Sequence, residues 1–263
     1  MTDIVLRPRE DRVLKAVIGA YVRTARPVSS GAVAAGRGVG VSPATVRNVM
    51  RSLEEMGLLC QPHTSAGRVP TDTGYRYYVD HLMKPSRPTE RQELRLRDVV
   101  RALLGRDRAA LVNRVSRTAS ELLRELSVAV VPAAGTTRTE RVHYEGARYI
   151  FRHPDLAGDP AFFGELLDSD RVLADLVRRG AAPGSIAVTI GAENERRELC
   201  RVSLVVGSYR VGRTLGHVGI IGSTRMHYPR VVGLVTRLSG MLDDAFGDAG
   251  GAGRPGTQHE GGA

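Results

Sequence analysis

Two cysteines and two lysines in 263 residues leave little room for several kinds of chemistry. Cys60 and Cys200 lie far apart and outside any CxxC motif, so the expectation is a reducing compartment and inert thiols rather than a disulfide scaffold. No apolar run approaches the roughly 18 residues that cross a bilayer. The opening MTDIVLRPREDR lacks the basic-then-apolar order of a secretory signal, and a cytoplasmic protein is expected. Signatures of catalysis are also missing. There is no GxSxG and no Cys/His nucleophile pattern. Cys60 and His63 are three residues apart but have no second pair to complete a zinc site. Gly212, Gly216, Gly219 and Gly222 do not spell a phosphate loop between strand and helix, and turns or tight strand packing account for them. No enzyme activity, metal or cofactor is expected.

Positive charge is plentiful and unevenly placed. Residues 1–130 hold 22 Lys and Arg against 13 Asp and Glu, whereas residues 131–263 hold 16 against 15. A general bias toward Arg would spread through the chain, but the second half balances it with acids. A basic half joined to a nearly neutral half fits a nucleic-acid-binding module attached to a second domain. The length is enough for two cores.

Residues 8–24 place Val13, Leu14, Val17, Ile18, Tyr21 and Val22 on one helical face, and Pro27 follows as a stop. A short helix near 30–35 runs into the glycines of GRGVG. In VSPATVRNVMRSLEEMG, Ser42 is an N-cap, Pro43 suits the first helical position, and Gly57 suits the terminator. Val46, Val49, Met50, Leu53 and Met56 make the buried stripe, while Thr45, Arg47, Asn48 and Arg51 face outward. LLCQ and RVP read as two short strands around the tip PHTSAG, with Cys60 in a core position. Thr71 then caps another helix. Helix, helix, helix, hairpin is the order of a winged helix-turn-helix. The bland alternative for the outward set is a helix face that merely meets water. A major-groove reader is the sharper one, since Arg pairs bidentately with guanine and Asn with adenine.

This divides the chain into a winged helix (1–83), a hinge KPSRPTER with two Arg-rich amphipathic helices (84–127), an α+β domain (128–246) and a disordered tail (247–263). Strands are expected at VAVVP, RVHYEG, SIAVTIG, CRVSLVVGSY and GHVGIIG, helices within 161–180, and a closing helix at 228–246. GAEN (191–194) is read as a surface turn rather than a pocket edge.

Two long stretches carry a resemblance. PVSSGAVAAGRGVGVSPATVRNVMRSLEEMGLLCQPHTSAGRVPTDTGYRYYVDHLM resembles the N-terminal domain of the heat-inducible transcription repressor family, HrcA. VTIGAENERRELCRVSLVVGSYRVGRTLGHVGIIGSTRMHYPRVV resembles that family's C-terminal segment. The resemblance implies repression of chaperone operons through an inverted-repeat, CIRCE-type operator on double-stranded DNA. It also implies a homodimer and a GroE-type chaperonin that maintains activity. The implied fold is a winged helix followed by a GAF-like domain, truncated here: only a short loop stands where the family carries early strands and an inserted dimerising domain. With that insertion missing, the helices around 92–126 and 228–246 are the expected pairing surfaces. Gly31 replaces a basic residue common in the family, and Ser223 and His227 replace Pro and Asp. The expected DNA-binding residues are Ser42, Thr45, Arg47, Asn48 and Arg51 on the third helix, with His63, Thr64, Ser65 and Arg68 on the wing. A different class remains open: a winged helix turned into a protein-docking module that no longer reads DNA.

Overall fold

The computed structural model describes residues 4–36, 38–64, 66–104, 107–132, 140–156, 166, 174, 177–178, 184–195 and 199–247. Ser65, most of the expected helices within 161–180 and the tail from 248 onward lie outside the described residues. Helix α1 (Pro8–Thr24) opens on a proline in its first turn and buries Val13, Leu14, Val17 and Ile18. In α2 (Ser30–Ala34) the cap is Ser29, whose hydroxyl accepts the Ala32 N–H at 3.2 Å. Helix α3 (Pro43–Glu55) buries Val46, Met50 and Leu53 at helical spacing, with Val49 and Met56 half-buried against the same core. Gly57, at φ +73°, ends it in the left-handed conformation that glycine adopts without strain. Strands β1 (Leu59–Cys60) and β2 (Val69–Pro70) pair antiparallel to form the wing. Cys60 is exposed, contrary to the core position expected. Successive strand residues face opposite sides, so burying Leu59 turns Cys60 outward. Helix α4 (Asp72–Tyr77) is capped by Thr71, whose hydroxyl accepts the Gly74 N–H at 3.0 Å, and widens into a π-turn over Tyr78–Leu82.

The second unit is a five-stranded antiparallel sheet with helices, an α+β architecture. Its strands are β3 (Leu126–Val131), β4 (Arg141–Glu145), β5 (Ile186–Ile190), β6 (Val202–Val211) and β7 (Thr214–Ser223). They lie in the order β4-β3-β7-β6-β5. Alternate residues feed two cores. Leu126, Val128, Val130, Val202, Leu204 and Val206 pack on one face with Ile150 of α7 (Ala147–Phe151). Ala129, Val131, Val205 and Tyr209 pack on the other. That second face is covered by α6 (Arg108–Leu123) and α8 (Tyr228–Gly247), with α5 (Glu90–Leu103) beside them.

Three expectations change here. The helices assigned to a linker are part of the packed unit: α6 lies against β3 and β4, and the buried Ser116 and Ser127 hydroxyls meet at 2.8 Å. The expected hinge is fastened, because the Ser86 N–H donates to the Pro229 carbonyl at 2.8 Å. Gly233 makes room for it, since a Cβ there would stand 1.9 Å from the Ser86 carbonyl oxygen. Finally, α8 spends its apolar face inside the chain, burying Val231, Leu234, Val235, Leu238, Met241 and Leu242. Leu111, Val112 and Val115 of α6 are buried in the same way, so the apolar stripes of these two helices are spent within the chain.

Candidate nucleic-acid interface

Local chemistry sets the presentation of α3. The Ser42 hydroxyl accepts the Thr45 N–H at 3.2 Å and meets the Thr45 hydroxyl at 3.0 Å, satisfying a backbone donor that the helix start leaves open. The buried stripe then turns Arg47, Asn48 and Arg51 outward, and all three are exposed. Neither Arg47 nor Arg51 has a carboxylate partner among the described residues. Two cations and an amide are thus free to meet a ligand.

The wing stands across a groove of about 360 Å³ from this helix, lined by Ser30, Arg47, Arg51, Gln61, Thr64 and Arg68 among others. The wing's position is fixed from both ends. At its base, Val28 and Arg68 exchange backbone hydrogen bonds at 2.9 Å, which ties the hairpin to the chain entering α2. Gly67 allows this approach, as a Cβ there would lie 2.4 Å from the Val28 carbonyl oxygen. At its tip, the Gln61 amide donates to the carbonyls of Thr64 and Ala66 at 2.8 and 2.9 Å. His63 and Thr64 are exposed there. Ser65 lies outside the described residues.

Arg68 differs from the other arginines. Its Nε–H donates to Glu54 Oε2 at 2.9 Å, with a second guanidinium nitrogen 2.8 Å from the same carboxylate. The pair braces the wing against α3 and neutralises Arg68 within the protein. Of the nine expected residues, the groove therefore gathers Arg47, Arg51, Thr64 and Arg68. Asn48 and His63 are exposed but are not among the groove residues, and Ser42 and Thr45 form the cap. Gln61, Glu54 and Gly67 were missed. Nothing local marks them, because each acts through a partner that only the folded hairpin brings near. Among the described residues no group of three or more His, Cys, Asp or Glu could hold a metal ion, and no helix is long and apolar enough to cross a membrane.

A wing and a capped helix with free arginines, set on either side of one groove, define a winged helix-turn-helix transcription regulator. Residues 5–81 match the family model described as the winged helix-turn-helix transcription repressor, HrcA DNA-binding. Residues 89–232 match that of the HrcA protein C terminal domain. The chain belongs to the HrcA family of heat-inducible transcription repressors. It is similar to the heat-inducible transcription repressor HrcA of Symbiobacterium thermophilum, at 29% identity over 332 positions, covering 90% of this chain and 97% of the relative. It is also similar to that of Geobacter sulfurreducens, at 37% identity over 220 positions, covering 83% of this chain and 57% of the relative. The first alignment is longer than this chain, so that relative holds segments with no counterpart here. A crystal structure known only as that of a hypothetical protein has the same fold, with a TM-score of 0.73 at 18% identity, covering 93% of this chain and 99% of the other.

Proposed function

We propose that this chain represses chaperone operons in the cytoplasm by binding an inverted-repeat operator as a homodimer, one α3 in each major groove. The observation that carries this reading is the pair of uncompensated arginines on the exposed face of a capped helix, beside a braced wing. In this reading Arg47, Asn48 and Arg51 take base edges. Ser42 and Thr45 hold a phosphate at the start of α3, where the helix dipole favours an anion. His63, Thr64 and Ser65 meet the DNA backbone or the adjacent minor groove from the wing. Arg68, already held by Glu54, anchors the wing rather than gripping a phosphate.

The homodimer is argued from operator geometry. One winged helix covers a single half-site, with too few contacts for specific affinity at physiological salt. An inverted repeat is matched by a two-fold dimer whose reading helices lie about one DNA turn, or a multiple of it, apart. A GroE-type chaperonin as modulator rests on the family resemblance, with the second domain as its docking point.

Footprinting of the purified protein on the promoters of its own chaperone operons tests the operator. Protection over both arms of an inverted repeat is expected, and protection of scattered single sites would overturn it. Light scattering at micromolar protein tests the dimer. A monomer with and without DNA, binding each half-site without cooperativity, would sink that part alone.

A further inference from the structure

The turn read from sequence as a surface loop, Gly191–Asn194, is where the winged helix is bolted to the second domain. Arg76 of α4 donates through Nε to Glu193 Oε1 at 2.8 Å and through a terminal nitrogen to the Val188 carbonyl at 2.6 Å. Its other terminal nitrogen meets Asp80 at 3.1 Å. Asp72, also on α4, accepts the Ala192 N–H at 2.9 Å. The turn itself is stiff. Glu193 accepts the Ile190 N–H at 2.8 Å, and the buried Asn194 amide donates to the carbonyls of Gly191, Leu199 and Val202 at 2.9, 3.0 and 2.9 Å. Gly191 sits at φ +52°, and a Cβ there would lie 2.1 Å from the Asp72 carboxylate.

Two further attachments come from different elements. Arg225 donates to both Asp155 carboxylate oxygens at 2.8 and 3.2 Å and to the carbonyl of Val22, near the end of α1, at 3.1 Å. The linker is pinned through Ser86 to Pro229. Between these points the Tyr75 and Tyr228 rings pack with centroids 5.7 Å apart. One contact would be a pivot; contacts from α1, α4 and the linker together hold an orientation.

We infer that Asp72, Arg76, Glu193 and Arg225 are positioning residues that set which spacing between operator half-sites the repressor accepts. This rests on the dimeric repressor reading above. If the second domain pairs the protomers, the angle at which each winged helix leaves it fixes the separation of the two α3 helices. A second half-site then adds about a hundredfold or more in affinity only where the geometry allows both to be engaged.

The test uses the full chain and the duplex that the wild-type protein enriches from random-sequence DNA. Binding is measured to that duplex, to one half-site alone, and to versions with the spacer lengthened or shortened by about one to five base pairs, up to roughly half a turn. Wild type should prefer one spacing. Arg76→Ala should keep its half-site affinity within about twofold while its preference among spacings flattens at least tenfold, because the avidity gain no longer depends on one geometry. Arg76→Lys, which keeps the charge but loses the fork, should fall between them. An unchanged spacing profile in a folded Arg76→Ala overturns the inference, and so does an equal loss at the single half-site. Should Arg76→Ala fail to fold, Asp72→Ala carries the same expectations. A wild type without preference for paired half-sites would defeat the dimeric reading instead, and the inference with it.

Discussion

Arg47 and Arg68 line one groove and carry the same charge, yet their surroundings give them different work. Arg47 has no acid beside it among the described residues, so its charge is available to DNA. Arg68 is committed to Glu54 at 2.8 Å. Arg47→Ala or Asn48→Ala should therefore cost about 1–3 kcal/mol on the enriched operator and leave binding to random DNA nearly unchanged. Equal losses on both DNAs would demote these residues to phosphate contacts. Arg68→Ala should weaken binding on every sequence by loosening the wing, without changing the salt dependence of log K. A slope smaller by about 0.9 would instead mean that a phosphate takes Arg68 from Glu54 in the complex. Tyr75 makes a separate case. Its hydroxyl is buried at the junction with no hydrogen-bond partner among the described residues, and burial pushes its pKa far above the ordinary tyrosine value. Leaving such a group unpaired costs about 1–3 kcal/mol, so Tyr75→Phe should hold or raise the melting temperature. A clear drop in thermal stability would show that the hydroxyl is in fact satisfied.

Elements were legible wherever their cause is local. The α3 cap, its stripe and Gly57 all sit within one stretch of sequence, and the five strands of the second unit's sheet fall at the segments where strands were expected. What was not legible depends on long-range approach. GAEN reads as a turn because its partners Asp72 and Arg76 lie more than 100 residues away, and 84–91 reads as a hinge because the seat of Ser86 is the missing side chain of Gly233. The capped helix α3 and its exposed polar face were legible from sequence, but the Glu54–Arg68 brace was not, since either residue alone looks like a solvated charge. Between α6 and β3 lies another group with no sequence signal, Glu125. Burial pushes its carboxyl up to about 8, against a smaller opposing pull from Arg225. A Cβ on Gly222 would stand 2.6 Å from it, which shows how closely β7 approaches. The folded chain therefore holds a proton that the unfolded chain has already released between about 4.5 and 8. This contribution to stability is full at the acid end of that window and is lost as pH rises through about 8. His153 and His217, whose pKa values burial lowers, act in the opposite sense below the ordinary 6.5. The comparison is thus with Glu125→Gln at each pH. Thermal melts should show wild type losing stability relative to Glu125→Gln from pH 6.5 to 8.5, and a constant difference would remove Glu125 from the account.

For the whole molecule the decisive feature is that the core does not stop at the domain boundary. One apolar cluster runs from Leu6 and Val13 in the winged helix, through Tyr75 and Tyr228, to Leu242 and Phe246 in α8. Proteins whose DNA-binding module hangs on a free linker unfold in separate steps, because few contacts cross the linker. Here the polar attachments and the shared core make the two units depend on each other. Removing the winged helix would expose apolar surface on the second domain at about 25 cal/mol per Å², enough to couple their stabilities. Calorimetry of the full chain should accordingly show one transition, with calorimetric and van't Hoff enthalpies equal once subunit number is allowed for. If the protomers pair, that transition should also move upward with protein concentration, since mass action stabilises the folded dimer. Hydrogen exchange gives the element-level check: the slowest amides of α1 and α3 should open with the same free energy as those of β6 and β7. Two resolved transitions, with α1 and α3 exchanging well before the sheet, would mean that the winged helix is a tethered module rather than part of the folded body.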